Sequence, residues 1–261
     1  MSSPFITSRQ IERWVPQNLG QVVGCDDLKE ILYSHLRQKG YGANTLITGK
    51  TGTGKTSSVK AYVRTLKCFN RSGDPPVPCE RCESCKDFDV RYAECGFHAR
   101  GHDGYPEDTI NFVPLNCGDD IRARVRQLTM DIRDCPGLFL VYLDEVHKVE
   151  KKDVEDLLLK PLEELEAVFI ASSAKLEGLD PMFLRRFSLK AETSPPSEEQ
   201  LAFFIKARCQ DWSISIDRPE SISALAERSD GNPNRSIRVL AHVAMTIDRQ
   251  LTEGIVKGFT F

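Results

Sequence analysis

The sequence predicts an α/β fold in which helices cover both faces of a parallel β-sheet, followed by a small all-helical domain. Short, nearly continuous apolar runs alternate with helical patterns, as in a parallel sheet buried on both sides. A glycine-rich stretch matching G-x-x-x-x-G-K-[ST] joins the first apolar run to a helical segment. The stretch TSPPS, at 193–197, ends the alternation, and only helical patterns follow it.

The individual elements can be placed from the same patterns. Apolar runs predict strands at 45–48, 111–117, 138–145, 167–174 and 185–192. Apolar residues at helical spacing predict helices after the glycine-rich stretch, over 120–132 and over 154–166. Pro161 is expected to kink the last of these or to start a new turn.

A domain boundary is expected near residue 194. The first domain, 1–193, would hold the sheet, and it contains a Pro-, Gly- and Cys-rich insertion at about 68–105 with too few apolar residues for a core of its own. The second domain, 194–261, is expected to be all-helical. Its first helix opens with a capping box that runs from Ser197 to Gln200.

The composition is that of an ordinary globular protein. The chain has 261 residues, 40% hydrophobic and 28% charged, and a formal net charge of -3. No apolar run approaches the roughly 18–20 residues of a membrane span, and the N-terminus does not have the pattern of a secretory signal. We therefore expect a cytoplasmic protein with no membrane partner, whose nine cysteines are thiols or metal ligands. The net charge does not exclude a local basic face.

The glycine-rich stretch GKTGTGKT, at 49–56, has the residues of a phosphate-binding loop between a strand and a helix. Its glycines let backbone N–H groups point at phosphate oxygens. Lys55 would bring a positive charge to the β- and γ-phosphates, and Thr56 would offer a hydroxyl to Mg²⁺. The residues expected to contact the nucleotide are Gly49, Lys50, Thr51, Gly52, Thr53, Gly54, Lys55, Thr56 and Ser57.

A second acidic motif ends the predicted strand LFLVYLDE. Asp144 is expected to hold the Mg²⁺ shell, and Glu145 to orient and polarise the attacking water. His147 follows closely, and we interpret it as a structural or supporting residue.

Four cysteines form the pattern C-x₁₀-C-x₂-C-x₂-C, at Cys68, Cys79, Cys82 and Cys85. Four thiolates can complete a closed tetrahedral Zn²⁺ site, which is structural rather than catalytic. An iron–sulfur cluster also uses four cysteines, although nothing else in the sequence indicates redox work. A second group, Cys95, His98 and His102, could replace a ligand, bind a second metal or lie in an enlarged loop.

These motifs together resemble the AAA+ ATPases, and within them the clamp loaders, with the strongest match to the bacterial DNA polymerase III tau/gamma type. The matching segments are RWVPQNLGQVVGCDDLKEIL, TGKTGTGKTSSVKAYVRTLKC, PCERCESC and VYLDEVHKVEKKDVEDLLLKPLEE. The resemblance covers nearly the whole chain, but the helical collar that follows the lid in clamp loaders has no counterpart before Phe261.

The resemblance implies further site residues. Adenine contacts are expected from Trp14, Pro16, Val22 and Val23, although Trp14 could instead only anchor the N-terminal arm.

Three polar positions follow from the same alignment. The γ-phosphate sensor is expected at Ser173, with Ser172 as the alternative. An arginine finger for a neighbour's ATP is expected at Arg186, with Arg185 as the alternative. The lid helix would offer Arg235 to the phosphates in cis, with Arg238 possible one turn later.

The function that the resemblance implies is that of an ATPase subunit in a ring or spiral of AAA+ subunits. It would use ATP, Mg²⁺ and a structural Zn²⁺ to load a sliding clamp onto primed or double-stranded DNA. The alternative is a collarless switch, or a helicase loader or regulatory ATPase of a phage or mobile element.

Overall fold

A computed structural model describes residues 14–39, 42–88, 110–117, 121–134, 137–149 and 154–261. Five strands of this part form one sheet in the order β2-β3-β4-β1-β5, and all neighbours pair in parallel. The strands are β1 Thr45–Thr48, β2 Ile110–Asn116, β3 Leu138–Asp144, β4 Ala167–Ser173 and β5 Leu189–Glu192. The predicted parallel α/β sheet is therefore confirmed.

Helices lie on both faces of this sheet. Alternate residues of a strand point to opposite faces, and here both sets are apolar and need to be covered. In β3, Leu140 and Tyr142 belong to the core beneath the helices before and after the phosphate loop. Val141 and Leu143 belong to the core on the other face. The helices of this part are α1 Asp26–Arg37, α2 Lys55–Lys67, α3 Glu83–Lys86, α4 Ile121–Asp134, α5 Lys160–Glu164 and α6 Pro181–Leu184.

Asn44 braces the centre of the sheet just before β1. Its side-chain oxygen accepts a hydrogen bond from Phe169 N at 2.9 Å, and its amide donates to Arg186 O at 3.3 Å. Leu189 N donates to Asn44 O at 3.1 Å. One polar residue thus fixes β1 against both of its neighbouring strands.

Two predicted elements differ from the structure. The strand predicted at 185–192 begins only at Leu189, because Asp180 caps a short helix whose last turn is continued by Arg185. The helix predicted at 154–166 begins as a π-helical segment, Val154–Leu159, and becomes α-helical at Lys160. Pro161 lies at the second position of that α-helical part, near a helix start, where proline is tolerated.

Beyond Thr193 the chain forms a separate apolar cluster built mainly from three helices. These are α7 Glu198–Asp211, α8 Pro219–Ser229 and α9 Pro233–Met245, and a short helix, α10 Glu253–Gly258, follows. The predicted capping box is present, since Gln200 N donates to Ser197 Oγ and Ser197 N donates to Gln200 Oε1.

The expectation of helices alone in this region is wrong. Two short strands, β6 Ser215–Ile216 and β7 Gln250–Leu251, pair in parallel. Strands of two residues are too short to leave a periodic apolar pattern in the sequence. Within the part of the chain that the structure describes, no helix is long and apolar enough to cross a membrane.

Candidate functional site

The phosphate loop connects the end of β1 to the first residue of α2, as predicted. Gly49, Gly52 and Gly54 all have positive φ values, 141°, 86° and 97°, and such backbone favours glycine. Thr53 fixes the loop to the residue after β5, because its hydroxyl lies 2.7 Å from that of Thr193. The free N–H groups at the start of α2 and the helix dipole make this end of the helix suited to an anion.

Lys55, the first residue of α2, folds back over the loop. Its Nζ donates to Gly49 O at 2.5 Å and to Lys50 O at 2.8 Å. Burial lowers the pKa of this ammonium, and the nearby Asp144 carboxylate opposes that shift. A charged group held by two neutral carbonyls and only partly solvated is suited to pair with a phosphate.

Asp144, the last residue of β3, carries a dense set of hydrogen bonds. Its Oδ1 accepts from Tyr142 OH at 2.9 Å and from Ser172 Oγ at 2.5 Å. Thr56 Oγ1 lies 3.2 Å from Oδ2. The structure therefore brings Thr56 and Asp144 together, and a hydroxyl beside a carboxylate provides the hard oxygen ligands that Mg²⁺ prefers.

Glu145 follows Asp144 at the end of β3. Its backbone adopts the left-handed conformation, with φ 57°. Its backbone N–H donates to Ser172 Oγ at 3.2 Å, and its carboxylate forms an ion pair with Lys148. Glu145 is partly exposed, so a water molecule can reach its carboxylate.

A cavity of about 250 Å³ opens beside the loop, and Asp144 and Glu145 line it. The N-terminal arm supplies Trp14, Val15, Pro16, Gln21, Val22 and Val23, which include all four positions expected near adenine. The loop supplies Thr51, Gly52, Gly54, Lys55, Thr56 and Ser57. The remaining lining residues are His147, Ser172, Ala174, Phe204, Pro233, Asn234 and Ile237.

Trp14 both lines the cavity and anchors the arm, so the two alternatives are not exclusive. Its ring centroid lies 5.6 Å from that of Phe204 and 6.3 Å from that of Trp212. The Arg208 guanidinium lies 4.8 Å from the Trp14 ring centroid. Arm and C-terminal helices thus share one aromatic cluster at the cavity wall.

The two serines at the end of β4 face different ways. Ser172 lines the cavity and bonds to Asp144, whereas Ser173 is fully buried outside the lining. The Ser173 hydroxyl donates to Lys175 O and lies 3.4 Å from His147 Nδ1. The alternative position, Ser172, is thus the one that the structure places at the site. His147 lines the cavity and accepts from Ala174 N at 3.3 Å, so its ring also supports the end of β4.

The arginines singled out by the sequence lie away from this chain's own cavity. Arg186 pairs with Glu163 and is one-third exposed beyond the end of α6, while Arg185 continues the last turn of that helix. Arg235 lies 3.5 Å from Asp230, and its guanidinium lies 5.6 Å from the Phe261 ring centroid. Arg238, the alternative, is exposed and also outside the lining.

Four cysteine thiols meet in the segment that follows α2. The Sγ atoms of Cys68, Cys79, Cys82 and Cys85 all lie within 4.8 Å of one another. A tetrahedral ion with Zn–S bonds of about 2.3 Å would place the sulfur atoms about 3.8 Å apart, so the cluster fits the ion after a small contraction. Cys95, His98 and His102 lie outside the described residues.

Backbone N–H groups point at this cluster and favour the thiolate form. Cys79 N donates to Cys68 Sγ at 3.2 Å, and Cys82 N donates to Cys79 Sγ at 3.4 Å. The backbone N–H of Arg81 is the main cause that lowers the pKa of Cys79 to about 6. Burial, together with the neighbouring thiols of Cys82 and Cys68, raises the pKa of Cys85. The segment is tied to α2 because Arg64 Nη1 donates to Cys85 O at 3.0 Å.

Sequence reasoning missed several residues of the site, and two of them have polar side chains that bear on its chemistry. Tyr142 was counted only as part of an apolar strand, yet its hydroxyl reaches Asp144 and Thr56. Asn234 lines the cavity from the first turn of α9, next to the Arg235 that was expected there. The available signal was a tyrosine hydroxyl two residues before the acidic motif in an otherwise apolar run.

The parallel sheet, the phosphate loop at the end of β1 and the acidic pair at the end of β3 define a P-loop nucleotide-binding protein. The chain belongs to the AAA family, described as "ATPase family associated with various cellular activities", which matches residues 45–195.

Two curated relatives are similar over most of the chain. The DNA polymerase III subunit tau/gamma of Haemophilus influenzae is 25% identical over 255 residues, which cover 94% of this chain and 34% of that protein. An ORC1-type DNA replication protein of Methanocorpusculum labreanum is 30% identical over 197 residues, 72% of this chain and 44% of that protein. The resemblance to the tau/gamma, clamp-loader type is confirmed, and the chain spans less than half the length of these relatives.

Two solved structures show the likeness of the fold. The Thermotoga maritima RuvB Holliday junction branch migration motor matches with a TM-score of 0.61 at 16% identity, over 95% of this chain and 72% of that one. The Aeropyrum pernix ORC1 protein in complex with DNA matches with a TM-score of 0.64 at 16% identity, over 98% and 69%. At this identity the likeness supports the fold alone.

Proposed function

We propose that this chain is the ATPase part of a clamp-loader-like AAA+ assembly, which uses ATP to place a sliding clamp on primed DNA. The observation that carries the proposal is the meeting of Lys55, Thr56, Asp144 and Glu145 at one cavity in a chain similar to tau/gamma subunits over 94% of its length. The proposal assigns 1–193 to the ATPase core and 194–261 to the lid domain.

ATP would lie with its adenine against the arm and its phosphates in the loop. The apolar side chains of Pro16, Val22 and Val23, with the Trp14 ring, would form an apolar wall for the base. Lys55 would leave its loop carbonyls to pair with the β- and γ-phosphates, an exchange of neutral acceptors for charged ones.

Hydrolysis would depend on residues at the other end of the cavity. Thr56 and Asp144 would hold Mg²⁺, which neutralises phosphate charge when bound. Glu145 would accept a proton from water, and for this its carboxylate must separate from Lys148. Ser172 lies close enough to Asp144 and Glu145 to sense the γ-phosphate, and it replaces Ser173 in that proposed role.

Residues of a neighbouring subunit would complete the site. Arg186 is too far from its own cavity to line it, as a finger that acts in trans would be. The four-cysteine cluster would hold a structural Zn²⁺ and order a segment that has little apolar core of its own.

A second candidate is an ATP-dependent switch in replication or DNA remodelling that loads no clamp. The observation that favours it is the similarity to an ORC1-type replication protein at 30% identity, with an ORC1 protein bound to DNA sharing the fold. Such a chain would bind ATP tightly and turn it over slowly.

The experiment is a steady-state ATPase assay with primed DNA and the sliding clamp of the same host, added separately and together. Stimulation only by both, abolished in Lys55→Ala and Glu145→Gln, supports clamp loading. Tight ATP binding without stimulation supports the switch. No ATP binding by the wild-type chain would refute both.

A further inference from the structure

The hydroxyl of Tyr142 is placed at the junction of the two nucleotide-binding motifs. Tyr142 is 1% exposed and follows aliphatic residues in β3, so its ring is part of the core beneath α2. Its hydroxyl lies 2.9 Å from Asp144 Oδ1 and 3.3 Å from Thr56 Oγ1. It therefore contacts both side chains that are suited to hold Mg²⁺.

The direction of these hydrogen bonds follows from the chemistry of the groups. A tyrosine hydroxyl has one proton, and the nearer acceptor with a formal charge is the Asp144 carboxylate. With that proton given to Asp144, the phenolic oxygen can accept from the Thr56 hydroxyl. When Thr56 turns a lone pair towards a metal ion, its proton needs an acceptor, and Tyr142 and Asp144 both lie within reach.

The two shortest side-chain hydrogen bonds to Asp144 fall on the same oxygen. Tyr142 and Ser172 both donate to Oδ1, whereas Oδ2 lies towards Thr56. Two donors on one oxygen fix the rotation of the carboxylate, so the other oxygen keeps its direction before any ion arrives. Preorganised ligands of this kind bind metal more tightly because supporting hydrogen bonds orient them.

The same core contains a second buried tyrosine. Tyr62 in α2 is fully buried, and its hydroxyl has no hydrogen-bond partner within the described ranges. A tyrosine ring can thus pack in this core without a polar partner, and Tyr62 provides a matched control.

We propose that Tyr142 is a positioning residue that orients Asp144 and Thr56 for Mg²⁺, and so sets the metal dependence of nucleotide binding. The inference rests on the proposed ATPase function. It concerns the metal rather than the nucleotide, because Tyr142 does not line the cavity in which ATP would lie.

The test compares Tyr142→Phe with wild type and with Tyr62→Phe, using a fluorescent ADP analogue in excess Mg²⁺ and in EDTA. Loss of the hydroxyl should leave the Kd in EDTA within about twofold of wild type. In Mg²⁺ the affinity should fall about tenfold, the size of effect typical for an outer partner of a metal ligand. The Mg²⁺ concentration for half-maximal ATPase should rise, and Tyr62→Phe should change neither quantity.

Ser172→Ala should give the same loss of ADP affinity in Mg²⁺, because it removes the other donor to Asp144 Oδ1 and ADP has no γ-phosphate for Ser172 to contact. It also keeps the inference testable if Tyr142→Phe lowers the Tm. Equal losses of affinity in Mg²⁺ and EDTA, or no loss in either, would overturn the role of Tyr142. If the nucleotide affinity of the wild-type chain did not depend on Mg²⁺, the proposed ATPase site would be overturned as well. Failure of the Tyr142 role and failure of the proposed function can thus be told apart.

Discussion

Gly49 and Thr193 approach each other so closely that no side chain fits between them. A Cβ on Gly49 would lie 2.2 Å from both the carbonyl oxygen and the hydroxyl of Thr193. Thr193 N also donates to Thr48 O at 2.7 Å, directly before the loop. The first residue of the phosphate loop is therefore packed against the residue at which the sheet gives way to the C-terminal helices.

Gly49→Ala should both destabilise the chain and abolish tight nucleotide binding. The backbone at φ 141° is strained for alanine, and the added methyl would displace Thr193. Strain and overpacking together predict a loss of about 2–5 kcal/mol in the free energy of unfolding. Urea unfolding and binding of a fluorescent ATP analogue would measure the two effects.

Gly178→Ala is a control that introduces backbone strain without steric overlap of the added methyl group. Gly178 also has a positive φ, 88°, but a Cβ there would meet no atom within 4 Å. We expect a loss of about 1–2 kcal/mol and unchanged nucleotide affinity. If the two variants behaved alike, the contact with Thr193 would not be what fixes the loop.

Asn234 rather than Arg235 should contribute to nucleotide binding from α9. Asn234 lines the cavity, whereas Arg235 is engaged by Asp230 and Phe261. Asn234→Ala should weaken ATP binding by about three- to tenfold, the effect of one hydrogen bond. Arg235→Ala should leave the Kd within about twofold. A larger loss in Arg235→Ala would show that α9 turns when nucleotide binds.

The sequence predicted the sheet and the ends of its central strands well, because buried apolar runs end abruptly where the loop and the acidic pair begin. It predicted the polar wall of the site less well. A shift of one residue at a strand end reverses the side that a side chain faces, which separates Ser172 from Ser173. On a helix, one residue is a rotation of about 100°, which separates Asn234 from Arg235.

The partners of a side chain were also beyond the sequence. The run LFLVYLDE predicts burial of Tyr142, but the contact of its hydroxyl with Thr56 joins residues 86 positions apart. The ion pair between Arg186 and Glu163 depends on how α5 and α6 meet, and no local pattern encodes that packing. By contrast, the gathering of the four cysteines followed from their spacing alone.

Purified chain should contain about one zinc per molecule if it has never met a chelator. Cys85→Ser removes a buried ligand and should abolish the metal and loosen the segment after α2. Cys209→Ser is the matched control, since Cys209 is a buried thiol in the C-terminal helices outside the cluster. Elemental analysis by mass spectrometry measures the zinc content of both variants. Wild-type chain without zinc, or with stoichiometric iron, would contradict the prediction.

Stability should fall in mild acid because of His35. Its ring is 1% exposed, neither nitrogen has a hydrogen-bond partner within the described ranges, and burial lowers its pKa. The unfolded chain takes up the proton first, near pH about 6.5. The contribution of His35 is therefore complete above that pH and is lost as pH falls towards the folded value, at up to about 1.4 kcal/mol per pH unit.

His35→Leu should remove this part of the pH dependence between pH 7.5 and 5.5, whereas the exposed His242→Gln should not. Urea midpoints at the two pH values would measure the difference. An unchanged pH dependence in His35→Leu would assign the acid sensitivity to other groups.

Arg186 should act on a neighbour's ATP and not on its own. Arg186→Ala should therefore bind ATP with wild-type affinity but hydrolyse it at least about 10³-fold more slowly, the lower bound for fingers supplied in trans. Glu145→Gln should likewise bind ATP and not hydrolyse it, because it lacks the base.

The two inactive variants should restore activity when they are mixed. In a mixed assembly, an Arg186→Ala chain next to a Glu145→Gln chain has its own Glu145 and its neighbour's Arg186. An Arg185→Ala chain provides the control. If mixing restored nothing while both variants still assembled, Arg186 would not be the group that crosses between subunits, and its pairing with Glu163 would be purely structural.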